Sequence, residues 1–191
     1  MILRKSKSAA LKPTAPKKPQ SIRKAWKYCP RCGVAAAKTG HHPFVCAECR
    51  FTHFFGPVSA VGAIATDPDG QVLLLVRAND PGRGMYGLPG GFADPGETAE
   101  QALQREVLEE VQLEVTSYHY LASFPNEYVY HGFILPVTDL FFVVEVRSFD
   151  TMKLADGEIS AWHFCHPTKR ELKRMAFESN RRALEFFLKS R

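Results

Sequence analysis

Hydrophobic residues along this chain fall into blocks of two different periods. Residues 58–65 (VSAVGAIA) and 71–77 (QVLLLVR) are short, nearly continuous apolar runs. The sequence DPDG at 67–70 separates them, and its Asp, Pro and Gly favour a turn, so the two runs read as strands joined by a tight connection. Residues 85–92 (MYGLPGGF) lead into a segment of different character. Between Ala99 and Glu110 there is no glycine or proline, and most residues are good helix formers. Ala99, Leu103, Val107 and Val111 recur every four residues, which predicts a helix starting near Glu97 or Thr98 with one apolar stripe. Strand patterns return at 114–123, at 138–147 (TDLFFVVEVR) and at 159–165 (ISAWHFC). Residues 167–191 predict one or two helices whose Ala176, Phe177, Leu184, Phe187 and Leu188 cover a sheet.

Composition changes this picture mainly at the N-terminus. A chain of 191 residues suits one ordinary domain and a small module. The net charge is +5, but residues 1–27 hold nine Lys or Arg and no acid. The other sixteen basic and twenty acidic residues leave the remainder at −4. Residues 1–27, rich in Lys, Pro, Ala and Ser, bury too little apolar surface to fold and are expected to be disordered. Three readings of this tail stay open: a solvated extension, an electrostatic arm for RNA or another polyanion, and an organelle transit peptide. No apolar run reaches the length of a membrane span and no secretory signal pattern opens the chain, so the expectation is a cytoplasmic protein, with organelle targeting by residues 1–27 left open.

The cysteines point to a metal. Cys29 and Cys32 form one C-x2-C pair and Cys46 and Cys49 another, thirteen residues apart, while Cys165 stands alone in an apolar run. Two such knuckles can close a tetrahedral Zn²⁺ site, with Gly33 suiting the turn after the first pair. His41, His42 and His53 are near in sequence, but four thiolates already complete the shell, so the zinc is expected to be structural. A module of about 30 residues needs such a staple to fold.

The predicted helix carries a second candidate centre. Glu106, Glu109 and Glu110 lie at i, i+3 and i+4, within an arc of about 100°. Three like charges side by side weaken a helix by a few tenths of a kcal/mol per pair. They read either as a solvated acidic face or, because Glu110 falls almost on the apolar stripe, as hard oxygen ligands for Mg²⁺ or Mn²⁺.

The full spacing runs Gly91, five residues, Glu97, seven residues, Arg105, Glu106 and Val107, one residue, Glu109 and Glu110, one residue, Gln112 and Leu113. This resembles the Nudix box, G-x5-E-x7-R-E-U-x-E-E-x-G-U with U a bulky aliphatic residue. It departs from the box only at Gln112, where the family has a helix-stopping glycine. Gln can take the left-handed conformation required there at a cost of about 1 kcal/mol. The resemblance implies an α/β/α sandwich with a mixed sheet, opening with a hairpin. It also implies a pyrophosphohydrolase, dependent on Mg²⁺ or Mn²⁺, that acts on a nucleoside diphosphate linked to another group. The residues matching the family's metal ligands are Glu106, Glu109 and Glu110, with a backbone carbonyl at Gly91. Arg105 would orient the carboxylates by pairing with Glu97. The implied organisation is a tail at 1–27, a zinc ribbon at 28–56 and a Nudix domain at 57–191.

A zinc ribbon before a Nudix domain is similar to the layout of the NADH pyrophosphatases, some of whose relatives remove NAD caps from RNA. Those enzymes carry an S-Q-P-W-P-F-P-x-S run after the box, where this chain reads SFPNEY at 123–128. The candidate substrates are therefore NADH, NAD⁺ or ADP-ribose, with capped RNA as an alternative and a non-catalytic nucleotide sensor as a third. Phe124 and Tyr128 can stack on a nucleobase or pack in a hairpin, Asn126 can bond a base edge, and Arg77 or Arg83 can meet phosphates. Asp156 and Glu158 are candidates for a general base. A second copy of the chain, as a homodimer, is carried as a further candidate partner.

Overall fold

The computed structural model describes residues 18–154 and 157–191. At its start β1 (Gln20–Ser21) pairs in parallel with Phe133 and Ile134, and a single 3-10 turn follows at Ile22–Ala25. The expectation of disorder therefore fails for the last part of the basic tail. The physical reason lies in Ile22 and Trp26, the segment's bulky apolar side chains. The Trp26 ring packs on His53 at 4.4 Å, Phe55 at 4.8 Å and Phe44 at 5.4 Å. Residues 1–17 lie outside the described residues. β2 (Phe44–Val45) and β3 (Thr52–His53) pair antiparallel on either side of the second cysteine knuckle, and Phe44, Cys29 and Cys46 make a small core of their own.

β4 (Val58–Ala65) and β5 (Val72–Arg77) form where the apolar runs predict. The turn between them closes as its residues demand. The Gln71 N–H donates to Asp67 Oδ1 at 2.7 Å, and Gly70 takes φ +77°. Beyond one bridge between Thr66 and Val72, however, the strands part into different sheets, so the expected hairpin is not formed. β4 has no free edge for β5. On one side it pairs in parallel with β8 (Phe133–Val146), Val58 to Ala65 against Val137 to Val144. On the other side residues 89–93 run along it. β5 instead pairs antiparallel with β6 (Tyr86–Gly87) and β9 (Ile159–Cys165).

Between these lie α1 (Ala99–Val111) and β7 (Val115–Tyr130). The stretch after Ser123 continues β7, so sixteen residues run antiparallel to β8, with register shifts near Ser117 and Ala122. Two helices, α2 (Lys169–Lys173) and α3 (Glu178–Lys189), end the chain.

Strand alternation divides the core in two. Leu73 and Leu75 of β5 face α1, where they meet Leu103, Val107 and Val111 together with Val61, Ala63, Phe142 and Val144. Val72 and Leu74 face the opposite way and meet Ala183, Leu184 and Phe187 of α3, with Ile64 and Phe141. Each fully buried aliphatic or aromatic side chain of this kind contributes about 1.5–3 kcal/mol. The sheets thus sit between α1 and the C-terminal helices, an α/β/α sandwich. Among the described residues, no helix is long and apolar enough to cross a membrane.

Candidate active site

α1 begins where its sequence can cap it. Thr98 Oγ1 accepts from the Gln101 N–H at 3.2 Å, and Gln101 Oε1 accepts from the Thr98 N–H at 2.9 Å, a reciprocal box that satisfies two orphan donors. The helix ends at Gln112, in the left-handed region at φ 54°, ψ 32°, with its N–H bonded to the Leu108 carbonyl. Gln112 therefore takes the geometry that the family's glycine would supply.

The loop before α1 is wedged against β4. The Ala63 and Val61 N–H groups donate to the carbonyls of Pro89 (2.7 Å) and Gly91 (2.8 Å), and Ala93 donates to the Ser59 carbonyl at 3.0 Å. A Cβ on Gly90 would lie 2.1 Å from the Val61 carbonyl oxygen, and one on Gly91 would lie 2.6 Å from Glu106 Oε2. Only glycine lets the backbone pass between strand and helix here. The Gly91 carbonyl, expected to face a metal, is instead bonded to β4. Pairing with β4 fixes that alternation: the residues on either side of Gly90 turn their carbonyls to the strand. Gly90 turns its peptide towards α1, and its N–H donates to Glu110 Oε2 at 2.8 Å.

Arg105 organises the acids. Its Nε and Nη2 donate to the two oxygens of Glu97, both at 2.8 Å, and Nη2 also reaches the Phe92 carbonyl at 3.0 Å. Its Nη1 donates to Glu106 Oε1 at 2.7 Å and Glu109 Oε2 at 3.1 Å. The Arg105 guanidinium, helped by the Asp94 N–H, lowers the Glu97 carboxyl to about 2. Burial raises Glu106 despite Arg105. Burial likewise pushes Glu110 up to about 8, against the Gly90 N–H that lowers it, with the neighbouring Glu106 and Glu158 charges adding to the rise. Carboxylates held at such cost call for a counter-charge, and a divalent cation with hard oxygen ligands supplies one. Glu106, Glu109 and Glu110 fit that donor set. Among the described residues, the four cysteines are the group whose ligand atoms already lie within 4.8 Å of one another. Glu106 and Glu109 are instead drawn to Arg105 and Glu110 to Gly90, so an ion would have to gather them.

These acids line a cleft of about 460 Å³ together with Glu158, Arg77, Asn126 and Tyr128. Asp156 lies outside the described residues. The Tyr128 ring meets Phe92 edge-on at 5.3 Å and Phe177 at 5.7 Å, and the Arg77 guanidinium stands 5.0 Å above the Phe177 ring. Arg77 Nε is held by the Pro81 carbonyl at 2.8 Å, whereas Arg83 donates to the Ala78 carbonyl and does not line the cleft. Phe124 does not line it either. It packs against Phe141 at 6.2 Å beneath the Arg182 guanidinium, so hairpin packing is the reading that holds for it. Sequence reasoning missed Phe92, Asp139 and Asn180 as lining residues and placed Phe177 only as sheet cover. Asp139 did leave a signal, an acid immediately before the apolar run LFFVV of β8.

In the N-terminal module, Cys29 Sγ lies 3.7 Å from Cys49 Sγ, and Cys32 Sγ lies 3.7 Å from Cys46 Sγ. The Cys49 N–H leads the groups that lower Cys46 to about 7, while the Val34 N–H lowers Cys32 but is outweighed by desolvation and the three other thiols, which together carry it up to about 12. Four thiols so close cannot all ionise unaided, and a divalent cation removes that conflict. Gly33 (φ 75°) and Arg50 (φ 61°) follow the two pairs in matching left-handed turns.

A family model described as NUDIX domain matches residues 56–187. Among curated proteins, the chain is 36% identical over 98 residues to "NAD-capped RNA hydrolase NudC" of Pseudomonas fluorescens, covering 51% of this chain and 35% of that protein. It is 38% identical over 100 residues to "NAD(P)H pyrophosphatase NUDT13, mitochondrial" of Homo sapiens, covering 52% and 28%. Over 64 residues it is 41% identical to "ADP-ribose pyrophosphatase" of Methanocaldococcus jannaschii, covering 34% and 37%. The chain thus spans only about a third of the length of these relatives. A crystal structure of a NUDIX hydrolase from Nitrosomonas europaea shares the fold, with TM-score 0.62 and 23% identity over 86% of this chain and 92% of the other.

Proposed function

Because the chain belongs to the Nudix family, we propose that it is a hydrolase that uses Mg²⁺ or Mn²⁺ to cleave the diphosphate of a nucleoside diphosphate linked to another group, with ADP-ribose and NADH as leading substrates. One observation carries the reading: Glu106, Glu109 and Glu110 line a single cleft together with Phe92, Tyr128 and Phe177. Glu106, Glu109 and Glu110 would hold the cation. When bound, it neutralises diphosphate charge and acidifies water. Arg105 pairs with Glu106 and Glu109 and is itself anchored on Glu97. Glu158, which lines the same cleft, is the candidate to take the proton of the attacking water on its carboxylate. Arg77 meets substrate phosphate, and the rings of Tyr128, Phe92 and Phe177 flank the base. Incubation of the full chain with ADP-ribose, NADH and NAD⁺ and either metal is expected to release AMP. Folded protein that is silent on the whole panel would overturn the reading.

The module at 28–56 is proposed as a ribbon closed by one structural Zn²⁺ on Cys29, Cys32, Cys46 and Cys49. A second substrate reading, RNA carrying a nucleotide cap, is favoured by charge. Residues 18–56 hold seven Lys or Arg against one acid, with Tyr28 and Phe54 exposed among them. Basic side chains track a backbone and exposed rings stack on bases. Turnover of capped RNA that exceeds turnover of NADH, and that falls steeply with salt, would favour this reading.

A further inference from the structure

Asp139 is a buried acid that the hydrolytic account does not use. It lies in the middle of β8, only 6% exposed, yet it lines the cleft. The Asn126 Nδ2 donates to Asp139 Oδ2 at 2.9 Å; burial raises the Asp139 carboxyl, and Ser179 and Asn126 oppose that rise. A carboxylate offers about four acceptor positions, so some remain unused. Asn126 cannot turn over, because its own Oδ1 accepts from the Glu127 N–H at 2.9 Å. Its nitrogen is therefore fixed beside Asp139, with a second N–H to spare. Asn126 and Asp139 thus set a donor and an acceptor side by side in the same cleft as Phe92, Tyr128 and Phe177.

We propose that Asp139 and Asn126 read the edge of the substrate's nucleobase and select a 6-aminopurine over a 6-oxopurine. The inference rests on the reading of the cleft as a nucleotide-diphosphate site. Adenine places an amino donor next to a ring-nitrogen acceptor, the complement of the carboxylate and amide N–H. A 6-oxopurine reverses both groups, setting its keto oxygen against a carboxylate and its N–H against a donor. Turning the base over would restore the match but would swing the glycosidic bond away from Glu106, Glu109 and Glu110. A buried pair left facing the wrong groups has no water to turn to, so the mismatch is costly.

The test compares ADP-ribose with its hypoxanthine counterpart. Binding to the full chain is measured by calorimetry, and kcat/KM is measured with Mg²⁺. The wild type is expected to favour adenine by about 5- to 150-fold, the discrimination of one good bidentate base contact. Asp139→Asn should bring that ratio towards one or reverse it, since an amide can present its NH₂ to the keto oxygen. Asn126→Ala should also lower the ratio while leaving the buried acid in place. A merely structural role for Asp139 would weaken both ligands alike and leave the ratio intact, which overturns the proposal. So does a wild type that binds the two bases equally, or binds neither. If both bind with the expected ratio but neither is cleaved, the base selection stands and the hydrolase reading falls.

Discussion

Replacing Glu110 by Gln separates two effects that one carboxylate combines. In cation-free protein, burial drives this carboxyl from its ordinary 4.5 up to about 8. The native state then keeps a proton that the unfolded chain has lost throughout that window. Stability contributed by this group is full below 4.5 and is lost as pH rises towards about 8. Each pH unit of withheld ionisation costs about 1.4 kcal/mol, so at pH 7 the group costs up to about 3 kcal/mol. Gln has the same shape, and its Oε1 can still accept the Gly90 N–H, but it carries no charge to desolvate. In EDTA at pH 7, Glu110→Gln should therefore be more stable than the parent by about 1–3 kcal/mol, or about 2–10 °C in Tm for a chain of this size. The gap should close towards pH 5 and widen towards pH 8. The same variant should lose hydrolysis by orders of magnitude, because an ion ligand has gone. Thermal melts in EDTA across this pH range, with turnover measured in Mg²⁺, read both effects. A variant that melts below the parent at every pH, or a gap indifferent to pH, would refute the burial argument. Near-normal turnover would refute the ligand assignment.

Gln112→Gly should raise stability by about 0.5–1 kcal/mol by relieving the left-handed conformation at φ 54°, which a chemical denaturation curve can resolve; a loss would mean that Gln112 makes contacts worth more than its strain. Gly90→Ala should destabilise the fold by about 2 kcal/mol or more and abolish turnover, since its Cβ would stand 2.1 Å from the Val61 carbonyl oxygen; a melt within a degree of the parent would show that the loop can move aside. Elemental analysis of protein prepared without chelator should find one zinc per chain, and none after Cys46→Ser; a zinc-free parent would exclude the metal reading of the cysteine cluster.

The parts of the site that sequence made legible are those governed by local geometry. Glu106, Glu109 and Glu110 share one helix face because the helical period puts them there, whatever the rest of the chain does. Arg105 reaches back along the helix to Glu97, just before the N-cap, and the two C-x2-C pairs each close within a single knuckle. What sequence could not supply depends on partners far along the chain. The Gly91 carbonyl, expected at a metal, accepts from the Val61 N–H of β4. The direction of each carbonyl there is set by pairing with Val61 and Ala63, and a shift of one residue reverses every direction. Phe124 and Tyr128, both read as able to stack on a base or to pack in a hairpin, lie four residues apart on β7. Their fates differ because Phe124 meets Phe141 and Arg182, while Tyr128 meets Phe92 and Phe177, residues that α1's loop and α3 bring in from either side. Asp139 shows the same limit from the other direction. An acid in the run TDLFFVV announces that something must satisfy it, but only the pairing of β7 with β8, which sets Asn126 opposite Val137, determines that Asn126 provides the partner. Spacing along one helix therefore decides which carboxylates share a face, whereas the residues that line the rest of the cleft are selected by strand register, which the local sequence does not encode.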